Sequence, residues 1–172
     1  MTDCQVCQLI QAKSLTLFED EHVVAFVHPE PSAPGQIAVA PKPHAPIFET
    51  IPDVIVKRMF TVANKLSIGV FEAVGAQGTN LLIQNGLPAG QAKPHSLISI
   101  IPRREGDGLA LEWQPGVVSE DDSKKAESQL KDAAQNIGKI EKENPKPLEE
   151  KKPEKMDLQD SDYRMRQLRR IP

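Results

Sequence analysis

Residues 79–102, TNLLIQNGLPAGQAKPHSLISIIP, consist of two apolar segments joined by a loop rich in glycine and proline. TNLLIQNG and HSLISIIP predict two β-strands, the first ending in an Asn-Gly turn and the second stopped by Pro102. His95 opens the second predicted strand, and Leu97 and Ser99 follow at alternate positions. The three side chains are therefore predicted to share one face of that strand.

The preceding chain supplies the rest of the predicted fold. SLTLFEDEHVVAFVH, residues 14–28, indicates a hairpin around the polar turn EDEH, and QIAVAP, residues 36–41, a third short strand. Apolar residues recur at spacings of three and four from residue 50 or 52 to about residue 74, which predicts a long helix ending near Gly75. Residues 4–13 fit a short helix. This order predicts an α+β domain with a five-stranded antiparallel sheet.

Composition limits that domain to the first two thirds of the chain. Of the 172 residues, 39% are apolar, and they concentrate in residues 1–118. We predict a globular domain over 1–118, an amphipathic helix over 119–138, a charged flexible linker over 139–160 and a basic, apolar tail over 161–172. The formal net charge of -3 argues against the whole chain binding nucleic acid by electrostatics.

The N-terminal sequence MTDCQVCQLI lacks the basic start and apolar run of a signal peptide, and no stretch has the length of a membrane span. We therefore expect a cytoplasmic protein without a membrane partner. Thiols stay reduced in that compartment, so Cys4 and Cys7 are predicted to be metal ligands or buried apolar residues rather than a disulfide.

Cys4 and Cys7 form a C-x2-C pair, which lets two thiolates bind one tetrahedral ion from a single turn. Two further ligands would come from the four histidines of the chain, His22, His28, His44 and His95. If the sheet brings the histidines at positions 44 and 95 beside the N-terminal helix, a Cys2His2 zinc site results. Spacing alone does not choose among the histidines, and two buried cysteines without metal remain the alternative.

Several motifs in one order connect the sequence with a known family. CQVC, FEDEHVVAFVHPEPSAPGQIAVAPKPH and NLLIQNGLPAGQAKPHSLISIIPRREGDGLALEW together resemble a histidine triad (HIT) protein over residues 4–115. The resemblance implies a HIT-like fold, a homodimer formed through the long helix and an edge strand, and nucleotide binding. It also implies cleavage of phosphoanhydride or phosphoramidate bonds by the middle histidine of a histidine-φ-histidine-φ-histidine-φ-φ strand.

The chain departs from that pattern at the positions that carry catalysis. The three positions are occupied by His95, Leu97 and Ser99, so the expected nucleophile is a leucine, which has no lone pair. Gln36 stands where a histidine usually follows proline-glycine. Ser99 lacks a neighbouring base, because the resemblance assigns His95 to a metal. We therefore predict no catalytic residue in this chain.

Other departures concern ligand binding. His28 stands where the family usually has an aspartate or asparagine for the ribose, while Asn85 and Gln91 keep amides that could hydrogen-bond a phosphate. These three residues are the candidate site for a purine nucleotide. The alternative for the two amides is a purely structural role in the turn and loop.

The resemblance favours the zinc site. Some family members carry zinc on two N-terminal cysteines, the histidine of proline-lysine-x-histidine and the first triad histidine, which correspond here to Cys4, Cys7, His44 and His95. All four residues are present, so the resemblance implies Zn2+ as the cofactor.

The tail DYRMRQLRRIP places four arginines among apolar residues at the end of the predicted linker. Such a segment can dock in a groove while its guanidinium groups meet carboxylates or phosphates. We predict that it binds a protein or ribonucleoprotein partner, with a solvated end as the alternative. The residues assigned to this motif are Tyr163, Arg164, Arg166, Leu168, Arg169, Arg170 and Ile171.

Three functions remain open at this point. The first is a zinc-stabilised, catalytically inactive HIT-like module that acts as a binding or scaffold protein. The second is a nucleotide hydrolase or transferase that uses other groups. The third is a sensor of AMP-like nucleotides that binds them through Asn85 and Gln91.

Overall fold

The computed structural model describes residues 4–111, 113–135 and 137. Its helices and strands are α1 (Gln5–Ala12), β1 (Thr16–Glu19), β2 (Val23–Val27), β3 (Ile37–Pro41), α2 (Asp53–Val74), β4 (Gly78–Leu82), β5 (Ile98–Arg103) and α3 (Glu120–Ala134). Short 3-10 turns cover Phe48–Thr50 and Leu87–Ala89. This sequence of elements confirms the predicted α+β class.

The five strands form one antiparallel sheet in the order β1-β2-β3-β5-β4. β1 to β3 are a meander, with Val24 opposite Ala40 at its centre. β5 then pairs with β3, and β4 lies beyond β5 at the edge of the sheet. α2 connects β3 with β4 in the chain, but β5 lies between these two strands in the sheet. α2 therefore runs across one face of the sheet.

Both faces of the sheet are covered, which explains why β2 and β3 are almost continuously apolar. Alternate residues of β2, β3 and β5 pack with the buried face of α2, including Met59 and Val62. The opposite face packs against α1 through a smaller cluster of buried residues: Cys4, Val6, Val24, Phe26, Ala38 and Ala40. The sheet thus has a large core on the α2 side and a small one on the α1 side.

The ends of α2 follow from local chain chemistry. Pro52 precedes the helix, and Gly75 terminates it in the left-handed conformation at φ +62°. Another glycine, Gly35 at φ +86°, lies against the end of this helix, where an added Cβ would sit 2.8 Å from Val74 Cγ1. The proline-glycine loop before β3 therefore needs glycine for both its backbone conformation and its close approach to α2.

Two details of the last strand differ from the sequence prediction. β5 begins at Ile98 rather than at His95, because the backbone of Ser96 donates to the carbonyl of Ala45 instead of joining the sheet ladder. The strand also continues through Pro102 to Arg103. β3 pairs with β5 only as far as Ile100, so the proline nitrogen can lie on the side without a partner strand.

The described residues fall into two units, one that ends at residue 111 and one that begins at residue 113. The predicted linker, 139–160, and tail, 161–172, lie outside the described residues. In the second unit, α3 covers residues within the range predicted for an amphipathic helix, and the hydroxyl of Ser119 accepts from the N–H of Asp122 to cap its N-terminus. None of the described helices combines the length and apolar character that crossing a membrane requires.

Asp20 connects the β1-β2 turn with α2. One carboxylate oxygen accepts from the backbone N–H groups of His22 and Val23, each at 2.8 Å, and the other accepts from Arg58 Nε at 2.6 Å. Burial alone would raise the pKa of Asp20, but the N–H of Val23 and the guanidinium of Arg58 outweigh it and hold the pKa below its ordinary value.

We expect Asp20→Ala to lower the free energy of unfolding by about 2 kcal/mol, because it removes three hydrogen bonds to a charged acceptor. Since the pKa is depressed in the folded state, this contribution is present above about pH 4 and is lost as the pH falls through the folded pKa. Urea unfolding as a function of pH measures both effects. Glu21→Ala, a substitution of the exposed neighbouring acid, is the control; equal stability of the two variants would contradict the assigned role.

Candidate metal centre

Four side chains from three separated parts of the chain meet beside α1. Cys4 is the N-cap of that helix and Cys7 lies in its first turn, while His44 follows β3 and His95 precedes β5. Their donor atoms all lie within 4.8 Å of one another. The structure therefore brings together the four residues predicted as metal ligands.

The distances between these donors suit a tetrahedral ion. His95 Nδ1 lies 3.7 Å from Cys4 Sγ and 3.5 Å from Cys7 Sγ, and His44 Nδ1 lies 3.4 Å from Cys7 Sγ. Tetrahedral zinc with bonds of about 2.3 Å to sulfur and 2.0 to 2.1 Å to nitrogen separates such atoms by about 3.6 Å. Two thiols and two imidazoles in this arrangement fit a Cys2His2 site.

A backbone contact sets the tautomer of His95. Its Nε2 lies 3.0 Å from the carbonyl oxygen of Pro41, which can only accept, so Nε2 carries the proton and Nδ1 presents a lone pair to the two sulfurs. Burial, with a smaller contribution from the neighbouring His44, lowers the pKa of His95 despite the Pro41 contact. A neutral ring with Nδ1 free is the form that binds a metal.

The site is closed on one side and open on the other. Cys4 and His95 are buried, Cys7 is partly buried and His44 is exposed. Four protein ligands leave no position for a water or substrate, which is typical of structural rather than catalytic zinc. The ligand set and the burial of the donors therefore fit a structural rather than a catalytic metal site.

Side chains at the three positions predicted to have lost a family histidine take part in packing or local structure. Leu97 packs against the cluster beneath α1. Ser99 is buried in β5, opposite Ala38 and Leu82. Of the three residues predicted to share a strand face, only Ser99 lies within β5, because the strand begins at Ile98. Leu97 and Ser99 do lie on the same side of the sheet, since Leu97 packs against the cluster that contains Ala38 and Ser99 is paired with Ala38.

Gln36, at the third of these positions, has a local structural role. It is buried, and its Oε1 accepts from the N–H of Ser32 at 2.6 Å. The backbone of the same residue accepts from the N–H of His28, so Gln36 joins the two ends of the proline-glycine loop.

The amides proposed for nucleotide binding are engaged within the protein. Asn85 accepts from the N–H of Phe48 at 3.0 Å and donates to Glu49 Oε1 at 2.5 Å, which lowers the pKa of Glu49. Gln91 accepts from the N–H of Gly86 and donates to two backbone carbonyls, those of Pro46 and Lys93. These contacts give both amides a structural role, which is the alternative to nucleotide binding.

The third candidate, His28, lines a cleft of about 470 Å³ beside α1. We call this feature the α1 cleft. It lies between residues of the helix and a second wall that includes Phe26, His28 and Leu97. Residues 28, 85 and 91 therefore do not line one cavity, since neither of the last two belongs to the lining of the cleft. The residues predicted for partner binding, 163–171, lie outside the described part of the chain.

Sequence reasoning did not identify the backbone partners of these sites. The carbonyl of Pro41 fixes the ring of His95, and the carbonyl of Pro46 binds Gln91. Neither contact can be recognised from the type of residue, because every residue has a backbone carbonyl. Only the tertiary arrangement shows which carbonyl faces the ring.

Similar proteins share this fold. The chain is 36% identical over 109 residues to the adenylylsulfatase HINT3 of Arabidopsis thaliana, an alignment that covers 62% of this chain and spans 55% of the length of that relative. A crystal structure of a HIT family member from Bacillus subtilis superposes with a TM-score of 0.69 and 29% identity, covering 76% of this chain and 96% of the other. A Zn-bound histidine triad family protein from Mycobacterium smegmatis matches with a TM-score of 0.59 and 26% identity, over 76% and 97% of the two chains.

The family model for the HIT domain matches residues 10–106. That range contains all five strands and α2, whereas Cys4 and Cys7 precede it. The cysteine half of the candidate metal centre thus lies outside the matched range, on α1, and the histidine half lies inside it. With the fold, the motif order and the matched range in agreement, the chain belongs to the HIT domain family.

Proposed function

We propose that this protein is a zinc-stabilised, catalytically inactive HIT module that works as a binding or scaffold protein and presents a C-terminal segment to a protein or ribonucleoprotein partner. The observation that carries the proposal is the meeting of Cys4, Cys7, His44 and His95 at distances suited to tetrahedral zinc. Leu97 at the family's nucleophile position supports the absence of catalysis.

The metal would act on stability. α1 has only eight residues, too few for a helix to be stable in water without tertiary support. When bound, zinc would link Cys4 and Cys7 of this helix to His44 and His95 of the sheet side, and such binding energy adds to folding energy. The Zn-bound relative from Mycobacterium smegmatis, which has the same fold, is consistent with this role.

The absence of turnover follows from the packing of Leu97. Covalent nucleotidyl transfer needs a nucleophile with a lone pair and a base that activates it. Leu97 has no such group and packs beneath α1, and His95 is directed at the cysteines. The competing proposal, a nucleotide hydrolase or sensor that uses Asn85 and Gln91, would require these amides to exchange their present protein contacts for a phosphate.

The scaffold role adds two further proposals. First, the protein forms a homodimer in the cytoplasm, for which the position of β4 at the edge of the sheet offers a free strand. Second, each subunit presents residues 161–172 to the partner, so that a dimer binds with two tails and gains avidity.

The proposed zinc site predicts that purified wild type contains about one zinc ion per chain. The variant His44→Ala should contain none. His44 is exposed, so the substitution removes a ligand without opening a cavity in the core. We expect the free energy of unfolding of this zinc-free variant to be several kcal/mol lower than that of zinc-loaded wild type, a fraction of the roughly 10 to 16 kcal/mol found for zinc-finger peptides. Elemental analysis and calorimetry measure both quantities.

His22→Ala is the matched control, because His22 does not belong to the cluster of donors. It should keep the zinc and the stability of wild type. After chelation, wild type and His44→Ala should unfold alike. A metal-free wild type of full stability would overturn the zinc proposal.

Catalytic inactivity predicts no turnover of an adenosine phosphoramidate or a dinucleoside polyphosphate above the uncatalysed background. The physical reason is the missing nucleophile at position 97. Chromatographic product analysis on zinc-loaded protein is the measurement. Turnover that disappears in a folded Asn85 or Gln91 variant would instead support the enzyme alternative.

The tail proposal predicts that partner capture depends on residues 161–172. Affinity capture with the full chain should retain a partner that is lost when this segment is deleted, because the arginines and apolar residues leave together. Replacement of the four arginines by serine in the full chain tests whether capture needs the positive charge of the segment or only its presence. Capture of the same partners by all three proteins would contradict the proposal.

A further inference from the structure

Cys4 and Cys7 occupy the first turn of α1 in positions that suit a disulfide as well as a metal. Cys4 is the N-cap, and the N–H of Gln8 donates to its carbonyl at 3.1 Å, which closes the turn that contains both cysteines. The rise and radius of an α-helix place Cα atoms three residues apart at about 5 Å. Disulfides join Cα atoms about 4.4 to 6.8 Å apart, so this bond can form without unwinding the helix.

The two sulfurs differ in their access to solvent. Cys4 is 2% exposed, whereas Cys7 is partly buried and its Sγ lies 3.4 Å from Nδ1 of the exposed His44. A small oxidant therefore reaches Cys7 first. Thiolates are the form that attacks a peroxide, and a thiol that coordinates zinc is held as the thiolate. Cys7 is thus the sulfur that meets an oxidant.

Cys4 is the one thiol within the chain that can react with an oxidised Cys7, because the chain contains two cysteines. Both sulfurs belong to the group of donor atoms that lie within 4.8 Å of one another. A sulfenic acid condenses with a nearby thiol to a disulfide, which prevents its further oxidation. The pair therefore has the arrangement of a reactive cysteine beside a resolving cysteine.

A metal and a disulfide would connect this helix differently. A metal on the four donors links α1 to His44, which follows β3, and to His95, which precedes β5. A disulfide between Cys4 and Cys7 joins two residues of the same helical turn. Its sulfurs are no longer thiolates, the form of cysteine that binds metals. Oxidation therefore replaces a link between helix and sheet by a link within the helix.

The other contacts that hold α1 on the sheet are few. The helix has eight residues, of which Val6 is buried, and helices of this length are marginal in water without tertiary support. Beneath it lies the small apolar cluster that includes Phe26 and Ala38. The chemical state of the two sulfurs thus determines how firmly this face of the sheet is covered.

We propose that Cys4 and Cys7 form a modification site for hydroperoxides, and that their oxidation to a disulfide expels the metal and loosens α1 from the sheet. The Cys7 thiolate attacks the terminal oxygen of the peroxide, breaks the O–O bond and becomes a sulfenic acid, while an alkoxide or hydroxide leaves. The Cys4 thiolate then attacks the Cys7 sulfur, forms the S–S bond and displaces hydroxide. The two thiolates lose two electrons, which the peroxide gains. Metal release rests on the proposed zinc site, whereas disulfide formation rests on the cysteine pair alone.

Stoichiometric hydrogen peroxide, added to the zinc-loaded full chain, tests the coupling. We expect one zinc ion to be released per Cys4–Cys7 disulfide, measured with a chromogenic chelator and by peptide mass mapping. Amide hydrogen exchange should quicken in α1 and stay unchanged in α2, whose core contains neither cysteine. A thiol reductant together with zinc should restore slow exchange in α1.

Three results of this experiment would overturn the proposal. The first is retention of zinc by protein that contains the disulfide. The second is oxidation of the cysteines to sulfinic acids, and the third is a disulfide between two chains in place of the bond within one chain.

The order of reaction of the two sulfurs has its own test. With the sulfenic acid reagent dimedone present during oxidation, zinc-loaded wild type should carry the adduct on Cys7 rather than on Cys4. Cys4→Asp and Cys7→Asp are a matched pair of variants, because aspartate offers zinc an oxygen ligand and suits the first turn of a helix. Trapping should be at least about fivefold faster in Cys4→Asp, which keeps the accessible sulfur. An adduct mainly on Cys4, or equal rates in the two zinc-loaded variants, would overturn the assignment of Cys7 as the reactive sulfur.

Failure of this proposal and failure of the proposed function are distinguishable. A wild-type protein that contains no zinc by elemental analysis would refute the proposed function. Peroxide treatment of that protein would still decide the modification site, since the bond requires only that Cys4 and Cys7 share a helical turn. A chain that forms no intramolecular disulfide, with or without zinc, would overturn the inference.

Discussion

The attachment of α1 to the sheet is the contact that positions both the candidate metal centre and one wall of the α1 cleft. The large core between α2 and the sheet forms from alternating apolar residues and needs no special chemistry. On the opposite face, a helix of eight residues contributes Val6 and the sulfur of Cys4 to a small cluster. Such a helix needs additional support, and the approach of Cys4 and Cys7 to His95 supplies the site for it.

The same attachment determines the surroundings of His95 and Leu97. His95 presents Nδ1 to the cysteines because the carbonyl of Pro41 holds its other nitrogen. Leu97 then packs beneath α1 and lines the cleft, where a family nucleophile would stand. The site has the donors of a structural metal and the lining of an apolar cleft, and both features depend on one short helix.

Much of the fold could be predicted from the sequence because its signals are local. The three-and-four spacing before Gly75 predicts α2, and the two apolar segments around the polar turn EDEH predict the hairpin. The predicted bounds of β5 were wrong at both ends, because contacts with residues distant in the sequence determine where this strand starts and stops. Ser96 binds Ala45 instead of extending the strand, and Pro102 remains in the strand because β3 ends before it. Neither partner is adjacent in the sequence.

The candidate site divides in the same way. The types of donor can be recognised from the sequence: two thiols one turn apart and histidines in two distant motifs. The sequence also shows a leucine at the position that the resemblance assigns to a nucleophile. Two facts become visible only in the folded chain: the four donors meet within 4.8 Å, and backbone groups engage Asn85 and Gln91. The physical reason is that the type of side chain fixes which atoms can bind a metal or a phosphate. The distances between these atoms, and the hydrogen bonds they make within the protein, are set when separated segments pack together.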